Sequence, residues 1–106
     1  MNDINERKDF ELLEKKVDIL RKEIDKIDKQ MMELLKERFS TATEIAEIKQ
    51  AMGTELYDPD RESNILRQLS MKIGDHESLI EILSVFESLL QLSKKAQNKH
   101  LNALKK

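Results

Sequence analysis

Arg38 occupies a position that a 3-4 apolar repeat reserves for the helix core, and Thr41 occupies the next. An arginine on a buried seam is costly unless an anion meets it. It can also pair with a glutamate or snorkel at a loose point in the seam, and position alone leaves these readings open. Lys49 follows eleven residues later, which on a helix is about 20° around and about 16 Å along. Both cations therefore face one side, as recognition of an anionic ligand would require. Arg21 lies seventeen residues before Arg38, about 25 Å along the same helix and too far to grip one small ligand within a chain. A shared ligand would need Arg21 from the other protomer of an antiparallel dimer. Taken alone, Arg21 reads as an ordinary surface charge.

Polar residues also interrupt the last apolar stripe. Ser93 and Gln97 stand one turn apart where the pattern expects apolar residues. A hydrogen-bonded polar layer that sets helix register is the simpler explanation from the sequence alone. Asp58, Arg61 and Glu62 are spaced by three and four, so all can face one way. Asp58 is also a good N-cap, and an Arg-Glu pair is common on an exposed first turn. His76 and His100 suggest only a helix start and a surface position, and Tyr57 reads as a loop anchor.

The elements that must carry these residues follow from the punctuation. Gly53, Pro59 and Gly74 are the only Gly and Pro residues, and they divide the chain into three helices. Apolar residues at 10, 13, 17, 20, 24, 27, 31, 34, 45, 48 and 52 predict one long helix over Phe10–Met52, with Gly53 as its stop. Residues 53–57 read as a loop. Asp58-Pro59 then supplies an N-cap and a proline at the first helical position. The second helix carries Ile65, Leu66, Leu69 and Ile73 and ends at Gly74. Asp75 is the expected cap of a third helix from about His76 towards Leu104, with a stripe of Leu79, Leu83, Phe86, Leu90, Ala96, Leu101 and Leu104. The lysine tail, Lys105-Lys106, is expected to fray. A helix over 10–52 would be about 64 Å long, whereas a compact chain of this size has a radius of gyration of about 13 Å. Apolar seam is left over, and a partner helix, most simply in a homodimer, must cover it.

Composition sets the outer bounds. The chain has 106 residues, enough for one domain, and is 39% hydrophobic and 38% charged with 4% aromatic residues. So few turn formers and aromatics argue against a sheet protein and for an all-α fold. The 19 Lys+Arg against 21 Asp+Glu give a formal net charge of −2, so nucleic acid is a poor partner. The absence of Cys excludes disulfides, thiolate zinc sites and Cys nucleophiles, and two His make a His-based metal site improbable. The charged N-terminus has no signal-peptide core, and no apolar run approaches the roughly 20 residues that span a bilayer. The expectation is a cytoplasmic protein with neither membrane nor nucleic-acid partner.

The motifs together resemble the all-helical chorismate mutases, the small dimeric class also found fused to prephenate dehydratase or dehydrogenase. They are residues 20–28 (Leu20, Arg21, Ile24, Asp25, Asp28), 34–38 (Leu34 to Arg38), 45–49 (Ile45 to Lys49) and 57–62 (Tyr57 to Glu62), then Ser93 and Gln97. Each fragment is common in helices rich in Leu, Glu and Lys; all of them, in order and at matching spacing from about Leu13 to His100, are specific. The resemblance implies a mutase domain over 13–104, behind an N-terminal extension over 1–12. It implies three helices per chain, intertwined in a homodimer through the long first helices.

It also implies a reaction: the Claisen rearrangement of chorismate to prephenate in aromatic amino-acid biosynthesis, with no cofactor, metal or covalent intermediate. Arg21 would be donated across the interface to join Arg38 in holding the substrate's carboxylates. Lys49 and Gln97 would face the breaking ether bond. Asp58, Arg61 and Glu62 would supply second-helix contacts, with Glu62 taking the ring hydroxyl, and Ser93 would sit near a carboxylate. All eight positions match the family pattern; the chain differs at Phe39, beside Arg38, and in its N-terminal extension. Two other functions fit parts of the pattern. An isochorismate-pyruvate lyase has the same fold and a similar cationic site. A non-catalytic dimerisation module would suit the heptads, but leaves Arg38, Ser93 and Gln97 unexplained.

Overall fold

Long runs of Leu, Ile, Glu and Lys without Gly or Pro favour uninterrupted helix, and the computed structural model consists of little else. It describes residues 3–105, the first two as backbone alone. The elements are α1 (Asp3–Met52), α2 (Pro59–Ile73) and α3 (Leu79–Leu104), with no strand among the described residues. The all-α expectation holds, and so does the very long first helix. α1 begins at Asp3 rather than Phe10, because nothing between them breaks a helix. Met1 and Asn2 of the expected extension, and Lys106 of the expected fraying tail, lie outside the described residues.

Gly53 stops α1 in a Schellman arrangement. Its φ is +70°, its N–H bonds the Gln50 carbonyl at 3.1 Å, and the Thr54 N–H bonds the Lys49 carbonyl at 3.0 Å. An added Cβ at Gly53 would meet nothing within 4 Å, so only backbone strain opposes it. Gly53→Ala is expected to cost about 1 kcal/mol, read as a lower thermal midpoint. No loss of stability would show that the chain leaves α1 without the left-handed residue.

α2 starts as expected: Asp58 Oδ1 accepts from the Arg61 N–H at 3.0 Å and Pro59 is the first helical residue. Gly74, at φ +63°, ends it, donating to the Ser70 carbonyl at 3.1 Å. α3 corrects an expectation. It begins at Leu79 after Ser78, not near His76 after Asp75. His76 Nδ1 accepts from the Ser78 N–H at 3.0 Å, and the Leu79 N–H bonds the His76 carbonyl at 3.1 Å. Those bonds hold 76–78 in a turn, and the first α-helical bond runs from Ile82 to the Ser78 carbonyl.

The chain divides into two units, Met1–Glu37 and Arg38–Lys106. In the first, the expected seam is open: Phe10, Leu13, Val17, Leu20, Ile24, Ile27, Met31 and Leu34 are all exposed, from 44% at Val17 to 64% at Leu34. In the second, α2 packs on α3, with Ile65, Leu66, Leu69 and Ile73 half-buried and Leu90 buried. Ala46 of α1 is fully covered.

The face that α1 turns to its own chain differs from the expected one. Ile45, Ile48 and Met52 are exposed, while Arg38, Phe39, Ala42, Thr43 and Lys49 are half-covered and Ala46 is buried. Alanines at 42 and 46 let α3 come close enough for a side chain to reach the α1 backbone: Gln97 Nε2 donates to the Ala42 carbonyl at 2.8 Å. Around the helix, Arg38 and Lys49 fall between Ala42 and Ala46 on one side and Ile45, Ile48 and Met52 on the other. Both cations thus border an apolar stripe that their own unit leaves uncovered.

Candidate active site

Seven of the eight expected site residues belong to the second unit. Arg38 Nη1 donates to Ser93 Oγ at 2.6 Å, and Ser93 is the one buried polar residue among those described. A guanidinium has five N–H donors. The bond to Ser93 uses one and fixes the plane of the rest, which is how an arginine is prepared for a carboxylate. Ser93 thus makes a hydrogen bond of the kind the polar-layer reading expects.

Gln97 lies one turn beyond Ser93. Its amide has two N–H donors; one goes to the Ala42 carbonyl, which orients the group and leaves the chemistry of a second donor. Lys49 Nζ lies 3.4 Å from the Leu56 carbonyl, a long contact with a neutral acceptor in the loop before α2. Asp58 spends Oδ1 on capping α2, so its structural role is explicit. Arg61, exposed, donates its backbone N–H to that cap. Glu62, half-buried, has its Oε1 3.2 Å from Lys94 Nζ.

Arg21 stands apart from this set, in the first unit. It is exposed, and its Nη1 lies 3.9 Å from Asp18 Oδ1. An exposed i,i+3 pair of this length is worth a few tenths of a kcal/mol, so the guanidinium can exchange Asp18 for a better anion at little cost.

Two residues were misjudged or missed by sequence reasoning. His100 is more than a surface position: its Nε2 lies 2.5 Å from Glu47 Oε1, fastening α3 to α1 one turn beyond Gln97. Lys94 was not singled out at all. It lies about 40° from Leu90 around α3, at the edge of the apolar stripe, and a cation bordering the stripe was the available signal. A recess of about 200 Å³ between α2 and α3 is lined by Tyr57, Pro59, Glu62, Ser63, Leu66, Glu87, Leu90 and Gln91. With Glu62 and Glu87 in its wall and Arg38, Lys49 and Gln97 outside its lining, it is not a place for a dianion.

The arrangement is a set of hydrogen-bonded cations and amide donors on partly covered helix faces. It can bind and orient an organic anion and stabilise negative charge that develops beside it. No helix among the described residues is long and apolar enough to cross a membrane.

Residues 20–98 match the family described as Chorismate mutase type II. The chain is also 34% identical, over 91 residues, to a protein of Methanocaldococcus jannaschii named Chorismate mutase, covering 85% of this chain and 91% of that one. No solved structure matches.

Proposed function

The chain belongs to the type II chorismate mutase family, and from that premise we propose how its residues convert chorismate to prephenate. The observation that carries the proposal is the Arg38–Ser93 bond, a part-buried guanidinium oriented by a buried hydroxyl on an otherwise apolar face. Arg38 takes one carboxylate of the substrate, with Ser93 beside it. Arg21 of a second copy takes the other, and together they hold the enolpyruvyl arm folded over the ring. As the C–O bond breaks, negative charge grows on the ether oxygen. Lys49 and the second N–H of Gln97 meet it in a pocket poor in water. Glu62 accepts from the ring hydroxyl, and Asp58 and Arg61 form the α2 wall.

The rearrangement is intramolecular and needs no nucleophile or cofactor from the protein. A million-fold acceleration corresponds to about 8 kcal/mol, and one well-aimed buried donor supplies about 3 kcal/mol. Lys49 and Gln97 can therefore account for much of it, and the clamp for the rest.

The assembly is a homodimer, in this proposal, with the long helices antiparallel. Two observations support it. The stripe from Phe10 to Leu34 is open in the first unit, and in the second Ile45, Ile48 and Met52 are exposed beside Arg38 and Lys49. The buried hydrophobic core of the single chain is only Ala46 and Leu90 among the described residues, too little for independent stability. Residues 13–104 form the mutase domain, preceded by an extension over 1–12, and the cytoplasm is the compartment that suits the composition.

The test is loss of chorismate absorbance with chromatographic identification of product, isochorismate run alongside, and sedimentation of the same sample. Prephenate from a dimer, abolished in Arg38→Ala, is the expected result. Pyruvate from isochorismate without prephenate would assign lyase chemistry to the site, and an active monomer would remove the shared-site arrangement.

A further inference from the structure

A carboxylate is an awkward group to keep in a site for a dianion. Glu62 repels both carboxylates of the substrate it is meant to contact, and like charges in a partly covered site oppose binding. The structure shows how that charge is handled. Lys94 Nζ lies 3.2 Å from Glu62 Oε1, with the two side chains only 27% and 22% exposed, so this is not a solvated surface pair. The same ammonium lies 4.5 Å from the centroid of the Tyr57 ring, which faces it as a cation–π partner. Lys94 is thus held from two sides, by the α2 carboxylate and by the loop aromatic.

Its place on α3 matters equally. Lys94 follows Ser93, which orients Arg38, and precedes by one turn Gln97, which is anchored to Ala42. One short stretch of α3 therefore sets the direction of a side chain on α1 and another on α2.

We propose that Lys94 is a positioning residue for Glu62. It neutralises the carboxylate towards the dianion and fixes its rotamer, leaving the second oxygen to accept from the ring hydroxyl. The inference rests on the reading of Glu62 given above and adds to it a residue that acts through Glu62 rather than on the substrate. Discrimination follows from the pairing: a neutral or misdirected group at 62 would lose preference for substrates that carry the hydroxyl.

The test compares wild type with Lys94→Met, Lys94→Arg, Glu62→Gln and the double variant Lys94→Met/Glu62→Gln. Kinetics are measured on chorismate and on an analogue with the ring hydroxyl replaced by hydrogen, with thermal unfolding of each protein. Lys94→Met is expected to lower kcat/KM for chorismate at least about tenfold, mainly through KM. Lys94→Arg should restore it to within about threefold, since the charge returns. The double variant should be no worse than Glu62→Gln alone, because the lysine has nothing left to position. On the analogue, which is still a dianion but lacks the hydroxyl, Lys94→Met should lose only the charge-neutralising part, at least about threefold less than its loss on chorismate, a difference that a loss of folding would not produce. Three results would overturn the proposal: chorismate kinetics unchanged in Lys94→Met, losses that multiply in the double variant, or an equal loss on both substrates. Wild type that fails on chorismate would instead remove the underlying reading of Glu62, and the proposal with it.

Discussion

Arg21→Ala and Arg38→Ala are each expected to lower kcat/KM at least about a hundredfold, and mixing the two inactive proteins to restore about a quarter of wild-type activity. The loss follows from removing one half of a charge-assisted carboxylate pair in a partly covered site, worth about 3 kcal/mol or more. The recovery follows from counting. If each site takes Arg38 from one chain and Arg21 from the other, a mixed dimer has one site with both arginines and one with neither. Random exchange makes about half the dimers mixed, and half the sites in those dimers are intact. Arg38→Ala also leaves the buried Ser93 hydroxyl without its 2.6 Å partner, at a cost of about 1–3 kcal/mol, so dimerisation and unfolding must be measured on every variant. Arg21 gives the cleaner case. It is exposed and tied only to Asp18 at 3.9 Å, and its removal should leave stability nearly unchanged while abolishing turnover. Verified mixed dimers with no activity would place both arginines in one chain's site, or Arg21 in none.

The long helix, its stop and the caps of α2 were legible because each depends on a local signal: a 3-4 repeat, Gly53, Asp58 followed by Pro59. The start of α3 was not, because a side-chain bond from His76 competes with the cap expected at Asp75. The polar intrusions Arg38, Ser93 and Gln97 stood out against an apolar stripe, and the structure joins Arg38 to Ser93 and Gln97 to Ala42. Which stripe of α1 its own chain covers was hidden by hydrophobicity itself. Ile45, Ile48 and Met52 are the more apolar residues, yet close approach of α3 needs the small ones, Ala42 and Ala46. Lys94 was hidden for the opposite reason: a lysine at the edge of an apolar stripe reads as a snorkelling charge until its carboxylate and aromatic partners are seen.

In the proposed mechanism, Lys49 is where transition-state and ground-state effects separate most clearly. An ether oxygen is a poor acceptor in the bound substrate and becomes a strong one as its C–O bond breaks. An ammonium aimed at it therefore contributes little to substrate affinity and much to the barrier. Lys49→Ala is expected to lower kcat by about a hundredfold to a thousandfold while KM changes less than about threefold. The resting contact agrees with this role. At 3.4 Å from the neutral Leu56 carbonyl, the ammonium is held loosely, so turning towards a developing anion costs little. Arg38, by contrast, is held at 2.6 Å by Ser93 and is suited to a carboxylate charged throughout the reaction, so its loss should raise KM as well. Gln97→Ala should resemble Lys49→Ala in kind and be smaller, because a neutral amide makes the weaker charge-assisted bond. If Lys49→Ala raises KM and leaves kcat intact, Lys49 belongs to the carboxylate clamp. The charge on the ether oxygen would then fall to Gln97, and Gln97→Ala would show the larger loss in kcat.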